Sequence, residues 1–229
     1  MCFDGKFKVY PMIEDLVTFG QVSQLAILLK GIPGSGKTTY AEAFLAQGLS
    51  MGFPAIFLTT DVSPRQIEHD MSRFGWRINN CIENDMFRFI DGYTGRMGGR
   101  IRSRDIAFYN LDDVNELSIV ITQALEGLVC ARVVIDSLST IMLHTEPNVV
   151  FRALQALSGK LKQDGHSLLI TIEEGVHDEK TLNMFSFFMD VIMEFKQKET
   201  EDGTINHLVR LGRTRGTDAI HKWVPFIIE

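Results

Sequence analysis

Gly31-Ile32-Pro33-Gly34-Ser35-Gly36-Lys37-Thr38, preceded by Leu25-Ala26-Ile27-Leu28-Leu29-Lys30, decides how this chain folds. The six residues before the first glycine are a short, nearly continuous apolar run, the pattern of a strand buried on both faces. From Thr38 to Ser50, small and apolar residues recur at helical spacing. The turn between them fits G-x-x-x-x-G-K-[ST] at every fixed position, so strand, turn and helix together predict a phosphate-binding loop. Backbone N–H groups must point inward round an anion there, and side chains at Gly34 and Gly36 would obstruct them. The helix that follows offers unpaired N–H groups and a positive dipole end. Gly31, Pro33, Gly34, Ser35, Gly36, Lys37, Thr38 and Thr39 are the nucleotide-binding residues expected on this reading. Lys37 would reach the β- and γ-phosphates of ATP, and the Thr38 hydroxyl would coordinate Mg²⁺.

Outward from the loop, buried strands alternate with helices. Ala55 to Thr59 reads as a second strand, Phe87 to Ile90 as a third, Arg132 to Ile135 and Ser167 to Ile172 as two more. Ser63-Pro64-Arg65-Gln66 has the cap, first-turn proline and reciprocal glutamine that open a helix. Asn110-Leu111-Asp112-Asp113 can cap a helix running to about Gly127, Pro147 to Lys162 reads as the next, and a short one follows near Lys180 to Phe187. The remainder changes character: Val191–Phe195, His207–Leu211 and Val224–Ile228 are strand-like runs joined by polar turns. Repeated βα units with a β-rich end predict an α/β fold, a mostly parallel sheet flanked by helices and finished by antiparallel strands. No internal repeat or low-complexity linker breaks the chain, which is expected to form one domain over residues 1–229.

Arg132-Val133-Val134-Ile135-Asp136-Ser137 supplies a second half for the site. An apolar strand ending in an acid puts a carboxylate at the strand's carboxyl end, beside the phosphate loop, and Asp136 is the expected partner of Thr38 in holding Mg²⁺. The 92–104 stretch holds four arginines and four glycines without an acid. It predicts a mobile, solvated basic loop, or one that touches nucleic acid, an acidic partner or a neighbouring subunit. The six histidines lack ligand spacing, and Phe185, Phe187, Phe188 and Met189 read as a packing face.

Composition narrows the class. With 229 residues, 45% of them apolar, the chain can bury a sizeable core. A net charge of −6 argues against a domain held to nucleic acid by overall charge. Cys2, Cys81 and Cys130 are odd in number and far apart, so they read as reduced thiols of a cytoplasmic protein. No apolar run is long enough for a membrane span or a signal peptide.

On these motifs the chain resembles the single-domain KaiC-like members of the RecA superfamily of ATPases, from about Met12 to Glu229. The pieces that carry the likeness are Gly31 to Thr39, Thr60-Asp61-Val62-Ser63-Pro64, Val133-Val134-Ile135-Asp136-Ser137-Leu138 and Arg213-Thr214-Arg215-Gly216-Thr217. The resemblance implies a RecA-like P-loop fold and ATP hydrolysis with Mg²⁺. It implies a homo-oligomer, with a hexameric ring among its forms, and leaves room for a regulatory protein partner. In such proteins two adjacent glutamates after the second strand orient the attacking water, and a Lys-x-Arg-Gly-Thr pattern reaches the γ-phosphate bound by the neighbouring subunit. Here Asp61 and Val62 stand where the glutamates are expected, and Arg213 stands in place of the lysine. Asp61 would carry the water-orienting role with one methylene less, and Glu173 and Glu174 are its substitutes. Arg213 and Arg215 would supply charge in trans. The expected function is slow, assembly-dependent ATP hydrolysis. Two rivals stand beside it: an ATP-sensing module without turnover, favoured by the Asp61-Val62 departure, and a recombinase-like DNA-handling ATPase, favoured by the arginine-rich loop.

Overall fold

A computed structural model describes residues 3, 9–13, 24–200, 202–214 and 222–228. In chain order the strands are β1 (Val9–Tyr10), β2 (Ala26–Gly31), β3 (Ala55–Thr59), β4 (Phe87–Asp91), β5 (Ile106–Ala107), β6 (Arg132–Asp136), β7 (Ser167–Glu173), β8 (Val191–Glu199), β9 (Ile205–Thr214), β10 (Val224–Pro225) and β11 (Ile227–Ile228). The helices are α1 (Lys37–Ser50), α2 (Pro64–Arg73), α3 (Asn79–Glu83), α4 (Val114–Leu125), α5 (Leu138–Met142), α6 (Pro147–Gln163) and α7 (Glu179–Ser186).

Nine strands form one sheet in the order β10-β9-β8-β2-β7-β6-β3-β4-β5, and β1 pairs with β11 apart from it. Neighbours from β8 to β5 run parallel, whereas β9 and β10 are antiparallel. The mostly parallel sheet with antiparallel strands at its C-terminal end is therefore present. Val191–Phe195 joins the two parts of the sheet: it lies parallel beside β2 on one side and antiparallel to β9 on the other, and its continuous apolar residues are mostly buried.

Alternation along the strands builds two cores. Ile27, Leu29, Phe57 and Leu169 face one side with Phe44, Ile67, Met71 and Trp76. Ala26, Leu28, Ile56 and Leu168 face the other, with Leu117, Ile121, Val150 and Leu154. Ser63 caps α2 through its side chain and Pro64 opens it, as read from the sequence. Asp113 caps α4, three residues after Asn110. The expected aromatic packing face is partly so: Phe185 and Met189 are fully buried, but Phe187 is 67% exposed. Arg132 locks the far end of α1 to the sheet. Its guanidinium lies 4.4 Å from the Phe44 ring centroid and donates to the Phe44 carbonyl at 2.7 Å. Gly48 is glycine for that reason, since a Cβ there would lie 2.6 Å from Arg132 Cδ.

This order sets the site. β2 lies between β7 and β8, and Gly31 is level with Glu173 on one side and Phe195 on the other. Thr59 is level with Asp136. The carboxyl ends of β2, β7, β6 and β3 thus share one edge, where ligands of open parallel sheets are held.

Candidate functional site

At that edge the Gly31–Lys37 loop closes tightly. Gly34 and Gly36 have φ of 76° and 102°, conformations that only glycine adopts freely. Gly31 is required by proximity instead, because a Cβ would lie 2.4 Å from the Phe195 carbonyl oxygen. Gly36 is the N-cap of α1 and no side chain caps that end. The first N–H groups of a helix end without a side-chain cap can be taken by an anion, the way such ends bind phosphate. Lys37 is buried, and its Nζ lies 2.9 Å from the Gly31 and Ile32 carbonyl oxygens and 2.9 Å from Glu173 Oε2. Ser35 is buried below the loop, while Pro33 is exposed at its crown and Thr39 is half-buried on the first turn of α1.

Thr38 and Asp136, predicted from distant segments, meet. The Thr38 hydroxyl donates to Asp136 Oδ2 at 3.0 Å, and the Thr171 hydroxyl donates to Asp136 Oδ1. Burial pushes the Asp136 carboxyl up to about 6, helped by the Asp61 and Glu173 charges and opposed by the two threonine hydrogen bonds. Glu42, one turn beyond Thr38 on the same helix face, is pushed well above its usual range by burial, with Asp70 and Asp136 adding to it. One carboxylate and one hydroxyl already in contact fit Mg²⁺, a hard cation that takes few protein ligands and fills its shell with water and phosphate oxygens. Among the described residues no group of three or more His, Cys, Asp or Glu side chains could hold a metal, so an all-protein cage is not what this site offers.

Asp61 emerges just past β3 and is exposed. Its Oδ1 accepts from the Thr140 hydroxyl and lies 3.0 Å from the Thr60 hydroxyl. Thr60 also ties this segment to β6: its N–H donates to the Asp136 carbonyl at 2.8 Å, and its hydroxyl accepts from the Ser137 N–H at 2.9 Å. Glu173 is brought into the site through Lys37, with its N–H donating to Ser139 Oγ at 2.8 Å. Glu174 points elsewhere, 3.9 Å from Lys30.

Sequence reasoning missed the threonines and serines that fix these acids. Thr140 and Ser139 lie on α5, a five-residue helix too short to show a period. Thr171 had a legible signal, a hydroxyl set among apolar residues two positions before Glu173. Two further residues grip the phosphate loop from β8 and β9: Gln197 donates to the Gly34 carbonyl at 2.7 Å, and His207 Nδ1 lies 3.1 Å from the Ser35 carbonyl. They are register partners on adjacent strands, a proximity that sequence spacing hides.

The basic loop is not a free cationic arm. Arg102 pairs with Glu68 and Asp105 at 2.6 and 2.5 Å, and Arg104 pairs with Glu68 at 3.2 Å. Arg96 donates to the Thr60 and Gly92 carbonyls at 2.8 Å each, which ties the loop to the segment carrying Asp61. The acids that neutralise it come from α2 and from just past the stretch, which is why a local reading saw only arginines.

Arg213 is exposed on β9 opposite Ile192. Phe195 is level with Gly31, so Ile192 lies three residues back, about 10 Å toward the opposite edge, and β9 is two strands aside, about another 10 Å. Arg213 is therefore out of reach of its own phosphate loop. Arg215 lies outside the described residues.

A family model described as "ATPase: KaiC" matches residues 10–229. A UPF0273 protein of Thermotoga maritima is 31% identical over 153 residues, covering 65% of this chain and 63% of that protein. A UPF0273 protein of Pyrococcus horikoshii is 31% identical over 134 residues, 58% of this chain and 54% of its own length. A UPF0273 protein of Pyrobaculum aerophilum is 32% identical over 147 residues, 64% of this chain and 52% of its own length. The matches thus span between half and two thirds of these relatives. No helix among the described residues is long and apolar enough to cross a membrane. With a phosphate loop, a strand-end carboxylate and a mostly parallel sheet consistent with a RecA-like fold, the chain belongs to the KaiC family of ATPase domains.

Proposed function

We propose that the chain is a single-domain ATPase that binds ATP with Mg²⁺ and hydrolyses it slowly as part of a homo-oligomer. The observation that carries this reading is the pairing of Thr38 with Asp136 at 3.0 Å beside the buried Lys37. Residues 98 positions apart meet there, and a hydroxyl beside a carboxylate is a donor pair suited to a nucleotide-bound Mg²⁺. Backbone N–H groups from Gly34 to Thr38 and the Lys37 ammonium hold the phosphates, and Asp61 orients the attacking water. Mg²⁺ would neutralise phosphate charge and fix the geometry of transfer. Slow turnover follows from Asp61, whose short side chain is further restrained by Thr140.

Arg213 and Arg215 would act on a neighbour's γ-phosphate. What supports this is that Arg213 sits at the edge of the sheet away from its own loop. Charges supplied in trans are worth about 10³ to 10⁵ in rate in phosphoryl transfer, so isolated protomers would be nearly inactive. Phosphate release measured against protein concentration tests the whole reading: specific activity should rise as the assembly forms. Activity independent of concentration, in protein shown to dissociate, would refute the trans assignment.

The same short and restrained Asp61 favours the second reading, an ATP-sensing module without turnover. Single-turnover hydrolysis by the assembled protein separates the two. The DNA-handling reading loses its main support, because Arg96, Arg102 and Arg104 are engaged within the chain.

A further inference from the structure

Lys37 has more acceptors than protons. An ammonium carries three donors. Around Nζ stand the Gly31 and Ile32 carbonyls and Glu173 Oε2, each at 2.9 Å, with Ser35 Oγ at 3.4 Å. Three good acceptors already satisfy it, and any phosphate oxygen that takes a donor must displace one of them. Two of the three are backbone carbonyls at the root of the loop and cannot leave without unfolding it. Glu173 is the one that can move: its side chain is 22% exposed, against 3% for Lys37. Its backbone would stay in place, because the N–H is bonded to Ser139 Oγ and the strand pairs with β2 up to this residue. Release of Lys37 is thus a rotation of one side chain.

The two phosphates differ in what they meet. A β-phosphate lies within the cradle of loop N–H groups. A γ-phosphate extends beyond it, toward the ends of β6 and β7, where Glu173 shares Lys37 and its charge is felt by Asp136. A carboxylate and a γ-phosphate on one ammonium, in a partly desolvated site, repel each other strongly.

We propose that Glu173 is an internal competitor of the γ-phosphate, holding Lys37 against it and setting how far the site prefers ATP to ADP. The role rests on the loop's being an ATP site. It also gives Glu173 a task different from water activation: it touches the ammonium that binds the phosphate, so it is a specificity-determining residue.

The test is an equilibrium titration of the purified protein with Mg·ADP and with the Mg²⁺ complex of a β,γ-imido ATP analogue, which is not turned over. Glu173→Gln keeps the shape and the acceptor but removes the charge. It should bind the analogue at least about tenfold more tightly, with ADP affinity within about threefold of wild type. Glu173→Asp, which withdraws the charge by one methylene, should give an intermediate preference and serves if the glutamine variant does not fold. Glu174→Gln, whose side chain lies 3.9 Å from the Lys30 ammonium, should change neither affinity more than about threefold. An unchanged or weaker analogue affinity in both Glu173 variants, with wild-type binding intact, overturns the proposal. So does unchanged affinity with hydrolysis lost, which would make Glu173 a base. Failure of the wild type to bind either nucleotide would instead overturn the ATP-site reading itself.

Discussion

Asp136→Asn removes a charge that the fold holds at a cost. Burial pushes the Asp136 carboxyl from its usual 3.8 to about 6. A carboxyl whose pKa is higher folded than unfolded binds its proton more tightly in the folded state. It favours the fold below about pH 4, and that contribution disappears as the pH rises through about 6. A shift of about two units makes ionised Asp136 worth about 3 kcal/mol against the fold at pH 7.5, with Mg²⁺ removed. Asparagine avoids ionisation but keeps only one of the two acceptors that Thr38 and Thr171 use, a loss of about 1 kcal/mol. The net effect is a variant about 2 kcal/mol more stable, a rise in Tm of about 4–8 °C for a chain of this size. Thermal melts in EDTA at pH 7.5 and at pH 4 check it: the variant should lead at the first and trail wild type by up to about 1 kcal/mol at the second, where only the lost acceptor remains. Mg·ATP should then stabilise the wild type more than the variant. A variant equal to or less stable than wild type at pH 7.5 would refute the reasoning, because Asp136 would then not be an unfavourably buried charge.

Three further outcomes follow from the site. Lys37→Ala should weaken ATP binding at least about tenfold, measured by equilibrium titration, since it removes the only ammonium within the loop. Asp61→Glu should turn over ATP as fast as wild type or faster, because the added methylene extends the reach to water, whereas Asp61→Asn should be slower. Equal steady-state phosphate release by Asp61→Asn would take the water-orienting role from Asp61. Arg215→Ala and Lys37→Ala proteins, each inactive alone, should recover activity when mixed. No recovery, with mixed assembly confirmed by mass, would leave the arginines as surface charges.

Much of this was legible in the residues. Gly31 to Thr38 announced a loop between a buried strand and a helix because the chemistry of wrapping backbone round an anion is local. Asp136 was legible for a similar reason, since an apolar run ending in an acid shows the carboxyl end of a buried strand. Ala55–Thr59 matches its sequence range, β4, β6 and β7 match to one residue at the C-terminal end, and β2 is shifted by one residue at both ends. The basic loop was misread because electrostatics is not local: Glu68, on the helix before it, supplies part of the neutralising charge.

The sequence by itself determined the fold class, the phosphate loop and the Thr38 and Asp136 pair, each written in residues close to its own turn or strand end. Only the tertiary structure decided what the other charges face. Glu173 and Glu174 are neighbours in the chain, yet strand alternation sends one to Lys37 and the other toward Lys30. Gln197 and His207 reach the phosphate loop because β8 and β9 pair in one register. That same register carries Arg213 about 10 Å toward the other edge, away from its own site. Register is set by packing a whole sheet between two cores, and no short stretch of sequence contains it.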